Sequence, residues 1–137
     1  MQEMKYAGWS SVYRWSQIIS SPESYRIGLV GPCAAGKSTL IYELRQRGYN
    51  VKHIAQEHSY VRDMWQRLTN PDVLIYLDVS YPISCQRRNM DWNEAEYQVQ
   101  VKRLEHARQN ADYYLNTDEL SIDQVLEHIL NYLAKFS

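Results

Sequence analysis

Gly31-Pro32-Cys33-Ala34-Ala35-Gly36-Lys37-Ser38, followed by Thr39, is the stretch that decides how this chain is read. It fits the pattern G-x-x-x-x-G-K-[ST]. Each fixed position has a physical purpose. Gly31 and Gly36 let the backbone bend through conformations that a Cβ obstructs. The amide N–H groups of such a loop turn inward and cradle phosphate oxygens. A helix starting at Lys37 adds the positive end of its dipole. Lys37 is a flexible point charge suited to the β- and γ-phosphates, and the Ser38 hydroxyl suits Mg²⁺. Gly is about 7% of residues in an average protein, so four fixed positions match by accident in roughly half a percent of chains this long. The flanks point the same way: the apolar run Arg26–Val30 (RIGLV) precedes Gly31, and Leu40, Ile41 and Leu44 share one helical face after Gly36.

Outward from the loop, strand and helix patterns alternate. Lys37–Arg47 reads as a helix stopped by Gly48. Asn50–Ala55 (NVKHIA) reads as a second strand, and a short helix is expected over Val61–Leu68 before Asn70 and Pro71. Val73–Val79 (VLIYLDV) is nearly continuous in apolar residues, the mark of a strand buried on both faces. Pro82 suits the first turn of a helix running to Arg88. A long helix is expected over Asn93–Ala111, with Tyr97, Val101, Leu104 and Arg108 down one side. Tyr113–Asn116 reads as a last strand, and Ser121 with Gln124 forms a capping-box spacing ahead of a final helix, Ile122–Phe136. This alternation predicts an α/β layer structure with a mainly parallel sheet of about four strands.

The chain resembles the P-loop NTPase superfamily, and within it the small nucleoside, nucleotide and shikimate kinase group. Gly31–Ser38 carries the superfamily likeness. Val73–Arg88 looks like the kinase segment in which an apolar strand ends in Leu-Asp and leads to a helix with paired arginines, and Ala111–Asp118 with the final helix looks like those kinases' last strand and helix. The resemblance covers about residues 25–136 and implies a three-layer P-loop NTPase fold. It implies ATP and Mg²⁺ as cofactors and transfer of the ATP γ-phosphoryl group to an acceptor. Gly31, Pro32, Cys33, Ala34, Ala35, Gly36, Lys37, Ser38 and Thr39 would hold the triphosphate. Arg87 and Arg88 would be lid arginines over the transferring group, where a planar fork neutralises charge on equatorial oxygens. Typical members insert a helical acceptor domain after the second strand. Here only about 17 residues, 56–72, separate Ala55 from Val73. One strand common in that group also has no counterpart. The acceptor is therefore small, or is a protein, or does not exist, and a nucleotide-binding module or slow NTPase switch acting through a protein partner is the alternative to a kinase.

Other residues are weighed beside the loop. Glu57 follows the second strand, where ligands of open α/β sheets sit, and could accept a proton from a substrate hydroxyl or serve the metal; a turn residue is the bland alternative. His58 is its neighbour, and Arg62 is placed to hold an anionic substrate. Arg103 reads equally as a surface residue. Asp78 ends an apolar strand, as a Mg²⁺-serving acid does, and competes with Glu57 for that role. Nothing near Cys33 suggests nucleophilic chemistry. Guanine specificity is disfavoured, because Asn116-Thr117-Asp118 is the nearest string to N-K-x-D and lacks its lysine.

Composition sets the outer bounds. With 137 residues, 45% of them hydrophobic and 23% charged, the chain holds one globular domain. A net charge of −1 gives no general attraction to nucleic acid or anionic lipid, so neither is an expected partner. No apolar run approaches the ~20 residues of a membrane helix. No secretory signal is expected, and two cysteines, Cys33 and Cys85, make no disulfide framework, so a cytoplasmic setting is the expectation. Residues 1–24 stand apart as an aromatic extension with Tyr6, Trp9, Tyr13 and Trp15. They are read as an amphipathic helix packed on the domain, as a homodimer or partner contact, or as a frayed end.

Overall fold

The computed structural model describes residues 25–88 and 92–136, so the reading of residues 1–24 lies outside the described residues. Four strands form one sheet: β1 (Arg26–Val30), β2 (Asn50–His53), β3 (Val73–Asp78) and β4 (Tyr113–Asn116). Their order is β2-β1-β3-β4 and every neighbouring pair is parallel. Among the described residues five α-helices pack with the sheet: α1 (Lys37–Gln46), α2 (Met64–Leu68), α3 (Tyr81–Arg88), α4 (Glu94–Asn110) and α5 (Ile122–Leu133).

The period-two geometry of a strand splits the core in two. From β3, Val73, Ile75 and Leu77 join Ile27 and Leu29 of β1 under α1 (Leu40, Ile41, Leu44) and α5 (Val125, Leu126, Ile129, Leu133). Leu74 and Tyr76 of β3 face the other way, with Val30, Ile54, Trp65 of α2, and Leu104 and Ala107 of α4. Helices thus cover both faces, as an all-parallel sheet requires. The helix after β1, α1, lies on one face, and α2 and α4 lie on the other. The connections diverge at the carboxyl end of β1, the place where open α/β sheets bind ligands.

The sequence has 12 Tyr and a single Phe, and described tyrosines range from buried Tyr25 and Tyr76 to exposed Tyr42 and Tyr60. Tyr113 stacks on Tyr132 at 4.5 Å and Tyr76 on Tyr114 at 5.8 Å, joining sheet to helix and strand to strand.

Element boundaries depart from the sequence expectation where side chains intervene. β2 stops at His53 rather than Ala55, because the chain turns at Ala55 into a 3₁₀ turn, Gln56–His58. The expected helix over Val61–Leu68 shrinks to Met64–Leu68. The Ser59 hydroxyl accepts from the Val61 N–H at 3.1 Å, closing a local turn that competes with helix. The buried side of α4 is Gln100, Leu104 and Ala107, whereas Arg108 is exposed. Both long C-terminal helices start with reciprocal capping boxes, Asn93 with Glu96 and Ser121 with Gln124, each cap typically contributing about 1 kcal/mol.

Candidate functional site

The Gly31–Ser38 loop lies at the carboxyl end of β1 and runs into α1. Its glycines serve different ends. Gly31 has φ 153°, and a Cβ there would overlap the Leu77 carbonyl oxygen of β3. Gly36 has φ 96° and open space around it, so only its left-handed backbone demands glycine. Ala34 also sits at φ 72°, an uncommon conformation for a residue with a side chain. No side chain caps the first turn of α1. The amide N–H groups that open the helix therefore face the loop, the arrangement that binds anions.

Lys37 is buried at 6% exposure inside this loop. Its ammonium donates to the Gly31 carbonyl at 2.5 Å, the Pro32 carbonyl at 3.1 Å and Glu57 Oε2 at 3.1 Å. These acceptors match its three N–H donors. Glu57, 3% exposed, is held in the 3₁₀ turn after β2. Its other oxygen, Oε1, is buried with no hydrogen-bond partner among the described residues. Neighbouring Gln56 fixes the turn: its Oε1 accepts from the Trp65 N–H at 2.8 Å, and its Nε2 donates to the Val61 carbonyl at 2.8 Å. His58 Nε2 lies 3.8 Å from Glu57 Oε2 and 3.9 Å from Cys33 Sγ.

Ser38 and Thr39 are exposed in the first turn of α1. Asp78 does not join this group. Its Oδ2 accepts from the Tyr114 hydroxyl at 2.5 Å and its Oδ1 from the Val79 N–H at 2.9 Å. The strand-end acid in contact with the loop is therefore Glu57, and the metal role read for Asp78 finds no support in its contacts. The carboxylate in turn raises the Tyr114 pKa, together with burial, the larger cause.

Arg87 is placed differently from the lid residue expected. Its guanidinium donates to the Ala34 carbonyl at 3.0 Å, the Thr117 hydroxyl at 2.9 Å and the Thr117 carbonyl. It clamps the loop to the end of β4 instead of extending over the loop's mouth. Arg88 lies over the Trp92 ring at 4.7 Å. Arg103 reaches the Glu57 carbonyl at 3.4 Å and covers the Tyr60 ring at 4.4 Å.

Two residues that the sequence reading missed complete the site. Gln100 of α4 accepts from the Cys33 N–H at 3.0 Å and donates to Cys33 Sγ at 3.2 Å. Thr117, 1% exposed, receives Arg87 and donates to the Asp78 carbonyl at 2.8 Å. Neither carries a sequence signal: Gln100 reads as a surface residue of a helix and Thr117 as part of the turn after the last strand.

One cavity borders the loop and another lies beyond it, against α4. One, of about 320 Å³, is bounded by Ala34, Gly36, Leu40, Arg87, Leu120 and Ile122. The other, of about 380 Å³, lies between the turn after β2 and α4, and is lined by Tyr60, Arg62, Lys102, Arg103 and His106. No described helix is long and apolar enough to cross a membrane. Compared with protein-family models, curated proteins and solved structures, the chain matches none of them.

Proposed function

We propose that this chain is a small P-loop phosphotransferase that binds ATP in the Gly31–Thr39 loop and passes its γ-phosphoryl group to a small anionic acceptor. The observation that carries the reading is the buried Lys37 ammonium, set among loop carbonyls beside the uncapped first turn of α1. Positive charge and open amides then converge on one concave loop, which is what a triphosphate requires.

The apolar cavity beside Ala34, Leu40 and Ile122 would take the nucleotide base, and its volume falls in the ordinary range for small-molecule sites. Oxygen ligands suit Mg²⁺, and the exposed Ser38 hydroxyl next to Lys37 fits that demand. Bound there, the ion would neutralise charge on the phosphate oxygens. In the second cavity Arg62, Lys102 and Arg103 outnumber the one acid, Glu105, and suit an acceptor carrying carboxylate or phosphate. Glu57 is the acid in contact with Lys37 of the loop, and its backbone carbonyl accepts from Arg103 of the second cavity; its unpartnered Oε1 would accept the acceptor hydroxyl's proton. The acceptor oxygen then bonds to the γ-phosphorus as the bond to the β-phosphate oxygen breaks, and ADP leaves.

A second reading, a nucleotide-binding module or slow NTPase without an acceptor, draws on Arg87. With its guanidinium engaged by Ala34 and Thr117, it is not disposed to follow a transferring group. One experiment separates the readings. ATP consumption is measured with Mg²⁺ against a panel of nucleotides, sugar phosphates and small acids. A kinase accelerates strongly with one acceptor, whereas a switch binds ATP and stays slow with all. Unchanged ATP affinity in Lys37→Ala would remove both.

A further inference from the structure

We propose that Cys33, Glu57 and His58 form a binding site for a zinc-class divalent cation at the edge of the glycine-rich loop. Their ligand atoms lie within 4.8 Å of one another, brought together from the loop after β1 and the 3₁₀ turn after β2. The separations are close to those of a coordination shell. With Zn–S near 2.3 Å, Zn–N near 2.05 Å and Zn–O near 2.1 Å, tetrahedral edges are about 3.6 Å for S···N and about 3.4 Å for N···O. Here Cys33 Sγ to His58 Nε2 is 3.9 Å, and His58 Nε2 to Glu57 Oε2 is 3.8 Å. These two edges are a few tenths of an ångström too long, and the third, Cys33 to the Glu57 carboxylate, is within 4.8 Å against about 3.6 Å in a tetrahedral shell, so the side chains must rotate inward to close on an ion.

Two further observations point to a ligand. Glu57 is 3% exposed and its Oε1 has no hydrogen-bond partner, so this buried carboxylate has acceptor capacity that Lys37 alone does not use, and Oε2 faces His58 as well as Lys37. Gln100, itself 8% exposed, donates an amide N–H to Cys33 Sγ at 3.2 Å, while its Oε1 holds the Cys33 N–H. A hydrogen bond donated to the sulfur fixes its direction, and outer hydrogen bonds of this kind orient metal ligands.

The donor set selects the ion. Thiolate, imidazole and carboxylate together suit Zn²⁺ and Co²⁺, whereas Mg²⁺ takes oxygen alone. Three protein ligands leave a fourth position open, as in zinc sites that bind water or substrate. The site stands on these side chains alone and does not depend on triphosphate binding.

The test is a Co²⁺ titration of the metal-stripped full chain, with no nucleotide present, followed by absorbance. The expected result is a sulfur-to-cobalt charge-transfer band that Zn²⁺ abolishes and excess Mg²⁺ does not. Cys33→Ser removes the band and Cys85→Ser keeps it. His58→Ala weakens Co²⁺ binding by about tenfold or more, and Gln100→Ala by about 10–100-fold. Since the His58 side chain is 61% exposed, its truncation leaves the core intact and keeps the test decisive even if Cys33→Ser folds poorly. Absence of the band in the parent chain, its persistence in Cys33→Ser, or unaltered affinity in His58→Ala would each overturn the proposal.

Discussion

The Lys37 ammonium and the Glu57 carboxylate, 20 residues apart in sequence, meet at 3.1 Å with both side chains nearly inaccessible to water. A buried pair of this kind costs more to break than it contributes when intact, because the survivor keeps its desolvation penalty. Lys37→Met is expected to destabilise the fold by about 3–5 kcal/mol. The double variant Lys37→Met with Glu57→Gln should lose less than the sum of the two single losses. Urea unfolding of all four proteins measures the coupling. Additive effects would show that the two charges do not depend on each other.

Arg87 gives a second expectation. Its fork serves Ala34 on the loop and Thr117 at the end of β4, so it fixes where the loop sits. Arg87→Ala should lower stability by about 1–3 kcal/mol, since it removes charge-assisted hydrogen bonds to Ala34 and to buried Thr117. On the proposed function it should also weaken ATP binding by opening the cavity beside Ala34. Arg87→Lys should recover little, because an ammonium cannot span both acceptors in one plane. Calorimetric titration with ATP alongside unfolding curves checks both effects. Intact affinity with reduced turnover would instead restore the lid role read from the sequence.

The sequence made the scaffold legible where a pattern was local. Arg26–Val30 and Tyr113–Asn116 begin and end where periodicity and turn residues put them, and Ser121 with Gln124 caps α5 as its spacing predicts. What escaped depends on neighbours far along the chain. Gln100 looks like a surface residue until Cys33, 67 positions earlier, arrives to use both ends of its amide. Arg87 and Arg88 look alike in sequence, yet one binds Thr117 and the other covers Trp92. Asp78 and Glu57 both follow apolar strands; Tyr114 on the adjacent strand claims the first, and Lys37 the second.

Glycine substitutions should separate two kinds of constraint within the loop. At Gly31 a Cβ meets backbone of β3, which cannot move without disturbing the sheet. Gly31→Ala is therefore expected to exceed about 3 kcal/mol of destabilisation, placing it among the exceptional single substitutions. At Gly36 there is space, and only the positive φ resists. Gly36→Ala should cost about 1–2 kcal/mol, the left-handed penalty of a residue with a side chain. Thermal unfolding of the two variants decides; equal losses would mean that the Leu77 contact is not what fixes Gly31.

His53, at the end of β2, links this region to pH. Burial lowers its pKa below the ordinary 6.5, and the positive charges of Lys37, Arg45 and His58 act in the same direction against the opposing pull of Glu57. The folded state thus binds the proton less readily than the unfolded chain. Stability contributed by neutral His53 is fully present above the unfolded value near 6.5 and is lost as pH falls below it toward the folded value. His53→Gln, which does not titrate, should flatten that fall. Urea midpoints taken between pH 7.5 and pH 5.5 should drop more for the parent chain than for His53→Gln, by about the protonation difference of a single group. Parallel curves would assign the acid sensitivity of the fold to other residues.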